Sequence, residues 1–222
     1  MAPHIRDNYM GLHTQEERGR LLYILADGHL REEVEETTLG AKLRVVLNDD
    51  GSEKARKWEL MYPGITGVIT SVGQYIGDYG TNLNVKMKDD EGGEYTVSLK
   101  ANSPFGEAFM HKLPKIDLTK EVSLSGYKAF EKDGNKVGAG LSVEQDGVKL
   151  KSFFSWKEGD EWKNVDGFPL PDKKTKERGG ELWKMYFDNV RVWMIDYLET
   201  NGYIQPPQVA EVKTEEVADK DF

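Results

Sequence analysis

From Trp58 onward the chain repeats one design, short runs that alternate apolar and polar residues, separated by turn-forming residues. A period of two puts every second side chain on the same face of an extended strand, so this region reads as sheet with one buried face. Residues 65–72 (Ile-Thr-Gly-Val-Ile-Thr-Ser-Val) are rich in β-branched side chains and predict a first strand. Asn82 to Lys88 sets Leu83, Val85 and Met87 inward against Asn84, Lys86 and Lys88 outward. Asp89 to Gly93 turns the chain, and Glu94 to Lys100 alternates again with Tyr95, Val97 and Leu99 inward, which predicts a hairpin. Ser103-Pro104 opens a short helix to His111, with Pro at its first position and Phe105, Phe109 and Met110 on one face. Val122 to Phe130 is read as a fourth strand, and Val137 to Val143 and Val148 to Phe154 as its continuation, broken at Asp146-Gly147.

Strand, strand, strand, short helix, strand, strand is the order of the OB-fold, a five-stranded Greek-key barrel with its helix between the third and fourth strands. Gly67 and Gly73 would let the first strand bend and serve both halves of such a barrel. The expected class is therefore mainly β, an OB-fold with a β/α extension before it and a helix after it. Four segments are expected: an extension over 1–57 packing on the barrel, the barrel over 58–155, a long loop and helix over 156–204, and a disordered acidic tail over 205–222. In the extension, Thr14-Gln-Glu-Glu17 has capping-box spacing, Leu21 to Ala26 reads as helix or strand, and Leu43 to Leu60 suggests a hairpin around Asn48 to Ser52. Trp156 to Gly180 reads as loop with one hairpin. Leu182, Trp183, Tyr186, Phe187, Val190, Trp193, Met194, Tyr197 and Leu198 recur at helical spacing, as core or as a partner surface.

Composition narrows the chemistry. Of 222 residues none is Cys, which removes disulfides, thiolate nucleophiles and Cys-ligated metals. His4, His13, His29 and His111 have no paired ligand spacing and read as surface or turn residues, so no metal or other cofactor is expected. No phosphate-binding glycine loop and no nucleophile elbow occurs. No apolar run is long enough to span a bilayer and residues 1–11 hold no signal core, so a cytoplasmic protein without a membrane partner is expected. Together these features predict a binding protein rather than an enzyme.

The net charge of −9 is unevenly spread. Residues 1–99 carry 11 basic and 17 acidic groups, whereas residues 100–157 carry 10 and 7, and the acid returns toward the end. A basic surface inside an acidic average suits an anion-binding module, although ordinary fluctuation along a solvated surface gives the same count. An OB barrel grips single strands with the outer face of its second and third strands and with two flanking loops. Such a site needs cations for phosphates and aromatic faces for bases. Lys86, Lys88 and Lys100 fall on the outward parity, and Tyr75 and Tyr79 in the first loop. Tyr127 has outward parity on the fourth strand, and Lys132 and Lys136 flank the next loop. Lys149, Lys151 and Phe153 share one parity of the last strand, and Trp156 either caps the barrel or lines the groove. The same residues have an ordinary reading: edge lysines block strand aggregation and sheet tyrosines pack across strands.

Tyr127-Lys128, then Val137-Gly-Ala139 and the alternation to Leu150, resembles the fourth- and fifth-strand region of OB-fold single-stranded-DNA-binding proteins of tailed bacteriophages. The end, Asp219-Lys-Asp-Phe222, is similar to the acidic, Phe-terminated tail of that family. The resemblance implies that the barrel coats single-stranded DNA during phage replication and recombination, in the host cytoplasm, with Tyr127 and Phe222 as matching positions. It also implies that the tail, with Asp219, Asp221 and Phe222, recruits polymerase, helicase or primase. Lys213 and Lys220 interrupt the tail, and the stretch from Trp156 to Trp193 has no counterpart in the family pattern. The competing expectation is a structural or adaptor protein that uses the barrel as scaffold and the 182–198 helix as its interface. A homo-oligomer is compatible with either.

Overall fold

A computed structural model of the chain describes residues 19–77 and 80–207, without the side chain of Lys136. The protein is mainly β. Its principal sheet begins with β1 (Arg20–Ile24), β2 (Leu30–Val34), β3 (Lys42–Leu47) and β4 (Glu53–Tyr62), and continues with β5 (Ile65–Gly77), β6 (Gly80–Lys88) and β7 (Glu94–Lys100). Helix α1 (Pro104–Met110) precedes β8 (Glu121–Tyr127), the small ribbon β9 (Phe130–Lys132) and β10 (Asn135–Val137), β11 (Gly140–Gln145) and β12 (Val148–Lys149). A second ribbon, β13 (Ser155–Glu158) and β14 (Glu161–Asn164), leads to α2 (Lys173–Arg178) and α3 (Glu181–Thr200).

Ten strands form one mixed sheet in the order β12-β11-β8-β5-β6-β7-β1-β2-β4-β3. The third strand of the expected barrel, β7, does not pair with the fifth, β11. Its free edge takes β1 in parallel, with Leu22 beside Val97, and β2, β4 and β3 extend the sheet beyond. The sheet among the described residues is therefore open. It curls nonetheless: a Cβ on Gly126 of β8 would lie 2.3 Å from the carbonyl oxygen of Gly28 and from the tip of Ile24, so the β1–β2 turn reaches back to the far side. Only a residue without a side chain allows that approach.

The inward alternation holds where the sequence is regular. Leu83, Val85 and Met87 of β6 and Val97 and Leu99 of β7 are buried, while Lys86, Lys88 and Lys100 are exposed. β5 is longer than expected, since Tyr75 belongs to the strand rather than to a loop; its register with β6 slips between Ile69 and Ser71, just past Val68, where the β8 ladder on its other edge ends. The expected last strand shortens to Val148–Lys149, because Val148 is exposed and both Phe153 and Phe154 turn inward. Ser103 caps α1 by accepting the Gly106 amide, and Pro104 opens the helix as its lack of an N–H permits.

Phe154 is the hinge of the core. It is fully buried and meets the rings of His111, Phe153, Phe168, Trp193 and Tyr197 edge-on or stacked, with centroids 5.2–6.2 Å away. Through it α3 docks: Val190, Met194 and Leu198 are buried, whereas Met185, Phe187 and Val192 stay exposed. His111 differs from the surface residue expected, since it is partly buried and its Nδ1 lies 3.0 Å from Ser152 Oγ. Burial, with the Lys112 charge second, lowers its pKa. Helix α2 lies inside the stretch read as loop. The Thr14–Glu17 capping box falls outside the described residues, and residues 20–24 are strand.

Candidate nucleic-acid interface

Residues directly opposite in a ladder project to the same face, so the register defines the outward surface. One row joins Tyr75 of β5, Asn82 of β6 and Lys100 of β7. The next joins Gly73, Asn84 and Ser98, the third Ser71, Lys86 and Thr96, and the fourth Val68, Lys88 and Glu94. Two residues further along β5, Thr66 faces Ser123 of β8, and the two hydroxyls are hydrogen-bonded at 2.7 Å. Ser123 lies opposite Glu144 of β11, and Glu144 opposite Lys149. A single outward surface thus runs from Tyr75 and Lys100 to Lys149. No carboxylate among the described residues lies within ion-pair distance of Lys86, Lys88, Lys100 or Lys149.

At one end this surface deepens into a cleft of about 610 Å³, walled by Tyr127, Phe130, Val137, Lys112 and Lys149 over a floor that includes Ser125 and Ser142. Tyr127 is 40% and Phe130 46% exposed. The hydroxyl end of the Tyr127 ring lies against Gly140, where a Cβ would come within 2.6 Å of the hydroxyl. Any side chain at Gly140 would lift the ring. Lys112 donates to the Leu141 carbonyl, capping an edge of β11 that no strand among the described residues covers, and burial lowers its pKa. The cleft thus combines two aromatic faces, hydroxyls, two ammonium groups and the carboxylate of Glu144, which stands opposite Lys149.

Of the residues chosen from sequence, Lys86, Lys88, Lys100 and Tyr75 share the sheet surface, and Tyr127 and Lys149 share the cleft. Lys132 is exposed on the β9–β10 ribbon beside the cleft, and Lys136 sits on the facing strand of that ribbon. Lys151 is exposed outside any strand, and Trp156 is 40% exposed on the β13–β14 ribbon. Phe153 corrects the parity argument: with no strand beyond Lys149 the alternation lapses, and the ring is half-buried against Phe154 and Tyr197 rather than offered to a ligand. Tyr79, Asp219, Asp221 and Phe222 lie outside the described residues. Phe130 and Lys112 line the cleft without a signal of it in the sequence: Phe130 falls at the end of the fourth expected strand, and Lys112 belongs to no pattern.

The outward surface continues past Thr96 and Ser98 onto Leu21 and Tyr23 of β1. There it changes character. Glu59 of β4 is fully buried and accepts from the Tyr23 hydroxyl, from Arg31 at 2.7 Å and from Arg44 at 2.7 Å. Burial alone would raise its pKa, but the hydrogen bonds from Tyr23, Arg31 and Arg44 outweigh it and hold the carboxyl below the usual glutamate range. Arg31 also meets Asp27 at 2.5 Å. Both arginines are committed to carboxylates, so among the described residues the free cations of this face are the lysines of β6, β7 and β12, with Lys42 of β3 apart from them at the far edge.

The last described residues bear on the same surface. Gln205 donates its amide to the Val72 carbonyl at 2.8 Å and bridges Gly73 in parallel, so the chain passes Ser71, Asn84 and Lys86 as it reaches Pro206. Among the described residues no helix is long and apolar enough to cross a membrane, and no group of three or more His, Asp or Glu side chains is placed to hold a metal ion. No family model matches the chain, and no curated protein or solved structure matches it either.

Proposed function

We propose that the protein binds single-stranded DNA without sequence preference, as an OB-type accessory of replication and recombination resembling the phage proteins named above. The observation that carries this reading is the unpaired cationic surface of β6 and β7, continuous with a cleft that offers the Tyr127 and Phe130 rings. Strands β5, β6, β7, β8 and β11 with α1 follow the OB order, and β8 returns to β5 as the fourth strand of that fold does. In this reading β1 stands beside β7 in the place of the fifth strand and opens the barrel to a larger sheet. Phosphates run along Lys100, Lys86, Lys88 and Lys149, and bases stack at Tyr75, Tyr127 and Phe130. Chemistry on the bound strand is no part of the reading. Pro206 lies beside Lys86, and the acidic residues that follow it in the sequence act as a tethered phosphate mimic that a replication partner can draw away.

Two variants test the assignment. Lys86→Glu with Lys88→Glu should weaken binding of a thymidine oligomer at least tenfold and flatten the log–log salt dependence by about 1.4, from about 0.7 per phosphate on a single strand. Tyr127→Ala with Phe130→Ala should cost about 1–3 kcal/mol per lost stack with the salt slope unchanged. Full affinity in both variants would remove the face from the account.

The exposed half of α3, with Met185 59%, Phe187 45% and Val192 59% exposed, favours a second reading as an adaptor docking through this helix. It predicts no salt-sensitive DNA binding and loss of a protein complex on Phe187→Asp.

A further inference from the structure

The ten-stranded sheet ends on two unlike edges. At one, β12 is only two residues long, which discourages further pairing. At the other, β3 is six residues long, contains no Pro, and among the described residues pairs only with β4. Its outer side therefore presents backbone N–H and C=O groups to an incoming strand. Its side chains invite one as well. Leu43, Val45 and Leu47 are 44%, 44% and 57% exposed, and Leu43 and Trp58 are opposite one another on the same face. On the other face Arg44 is tied to Glu59 and does not guard the edge.

We infer that β3 is a self-association edge, which pairs antiparallel with β3 of a second copy of this chain. Charge selects that occupant. The strand is basic where it starts, with Lys42 and Arg44, and runs into the acidic turn Asn48-Asp49-Asp50, so an antiparallel copy sets each Lys42 beside the other's acidic turn. Register follows from face matching. A continuous sheet needs like faces together, so the two-fold axis falls on a residue rather than between two. An axis at Arg44 would oppose two arginines, whereas an axis at Val45 opposes Val45 to itself and Leu43 to the partner's Leu47. The dimer sheet then has twenty strands, and its outward surfaces face the same way. The inference stands independently of DNA binding.

Sedimentation velocity on the full chain across the micromolar range tests it. The wild type should sediment as a dimer that dissociates on dilution, and Val45→Lys, a change at an exposed position, should sediment as a monomer with unaltered circular dichroism. Because the chain has no Cys, a single introduced thiol reads proximity directly. Residues opposed across antiparallel strands are about 4.5–5.5 Å apart at Cα, within disulfide reach. The Val45→Cys variant should oxidise to a covalent dimer much faster than Ile76→Cys, whose position on β5 is also exposed. A monomeric wild type, a dimer that persists in Val45→Lys, or equal oxidation of the two thiol variants would each overturn the inference.

Discussion

Phe154→Ala is expected to lower the stability of the protein by about 4 kcal/mol. The side chain is fully buried and five rings from four segments meet on it: His111 after α1, its neighbour Phe153, Phe168 of the connecting loop, and Trp193 and Tyr197 of α3. Truncation removes the transfer energy of the ring and leaves a cavity that rigid aromatic neighbours fill poorly. Urea unfolding followed by tryptophan emission checks the number, since Trp193 lies 5.5 Å from the deleted ring. The loss should appear in the midpoint with little change in slope. A loss below about 1 kcal/mol would mean that α3 is held elsewhere. At temperatures where the variant stays folded, its affinity for single-stranded DNA should match the wild type, because Phe154 faces the core and not the outward surface.

The second large effect is electrostatic. Glu59→Ala should cost about 3–5 kcal/mol, because Arg31, Arg44 and the Tyr23 hydroxyl lose the carboxylate they surround. Arg31 is the most exposed to this loss, with only 12% of its side chain accessible. The pH dependence carries a sign. The folded carboxyl titrates below the ordinary glutamate value of 4.5, so the unfolded chain takes up its proton first as the solution is acidified. The stability Glu59 provides is therefore complete above that value and is lost as pH falls through the folded pKa. Glu59→Gln keeps the shape but not the charge, so the gap between wild type and this variant should be widest at neutral pH and close in acid. A gap that stays constant from neutral pH to pH about 2 would show that the charge contributes nothing.

What the sequence made legible follows its regularity. β6 and β7 alternate without interruption, and there the buried and exposed sets, including Lys86, Lys88 and Lys100, were readable residue by residue. The α3 stripe was readable for the same reason, as Val190, Met194 and Leu198 recur at helical spacing and are buried. Parity arguments failed where a strand ended early: the chain leaves the sheet after Lys149, so Phe153 lost the outward place that counting gave it. The bulge between Ile69 and Ser71 shifts parity along β5 in the same way. The pairing of the N-terminal strand was not legible. Nothing in the local pattern of residues 20–24 says that they lie parallel to β7, because a parallel partner is chosen by the whole sheet and not by the strand. The Glu59 cluster was hidden for a related cause, since Tyr23, Arg31, Arg44 and Glu59 come from four strands and converge only through their registers.

If the outward surface and its cleft hold single-stranded DNA by phosphate charge and base stacking, as proposed, the protein should tell a single strand from a duplex. Titrating the full chain into a labelled thymidine oligomer of about 16 nucleotides, and into a duplex of equal length, tests it by anisotropy at two salt concentrations. Tighter binding of the single strand is expected, with a log–log salt slope near −3 from four lysine–phosphate contacts. Equal affinity for the duplex, or no binding of the single strand at low salt, would contradict it.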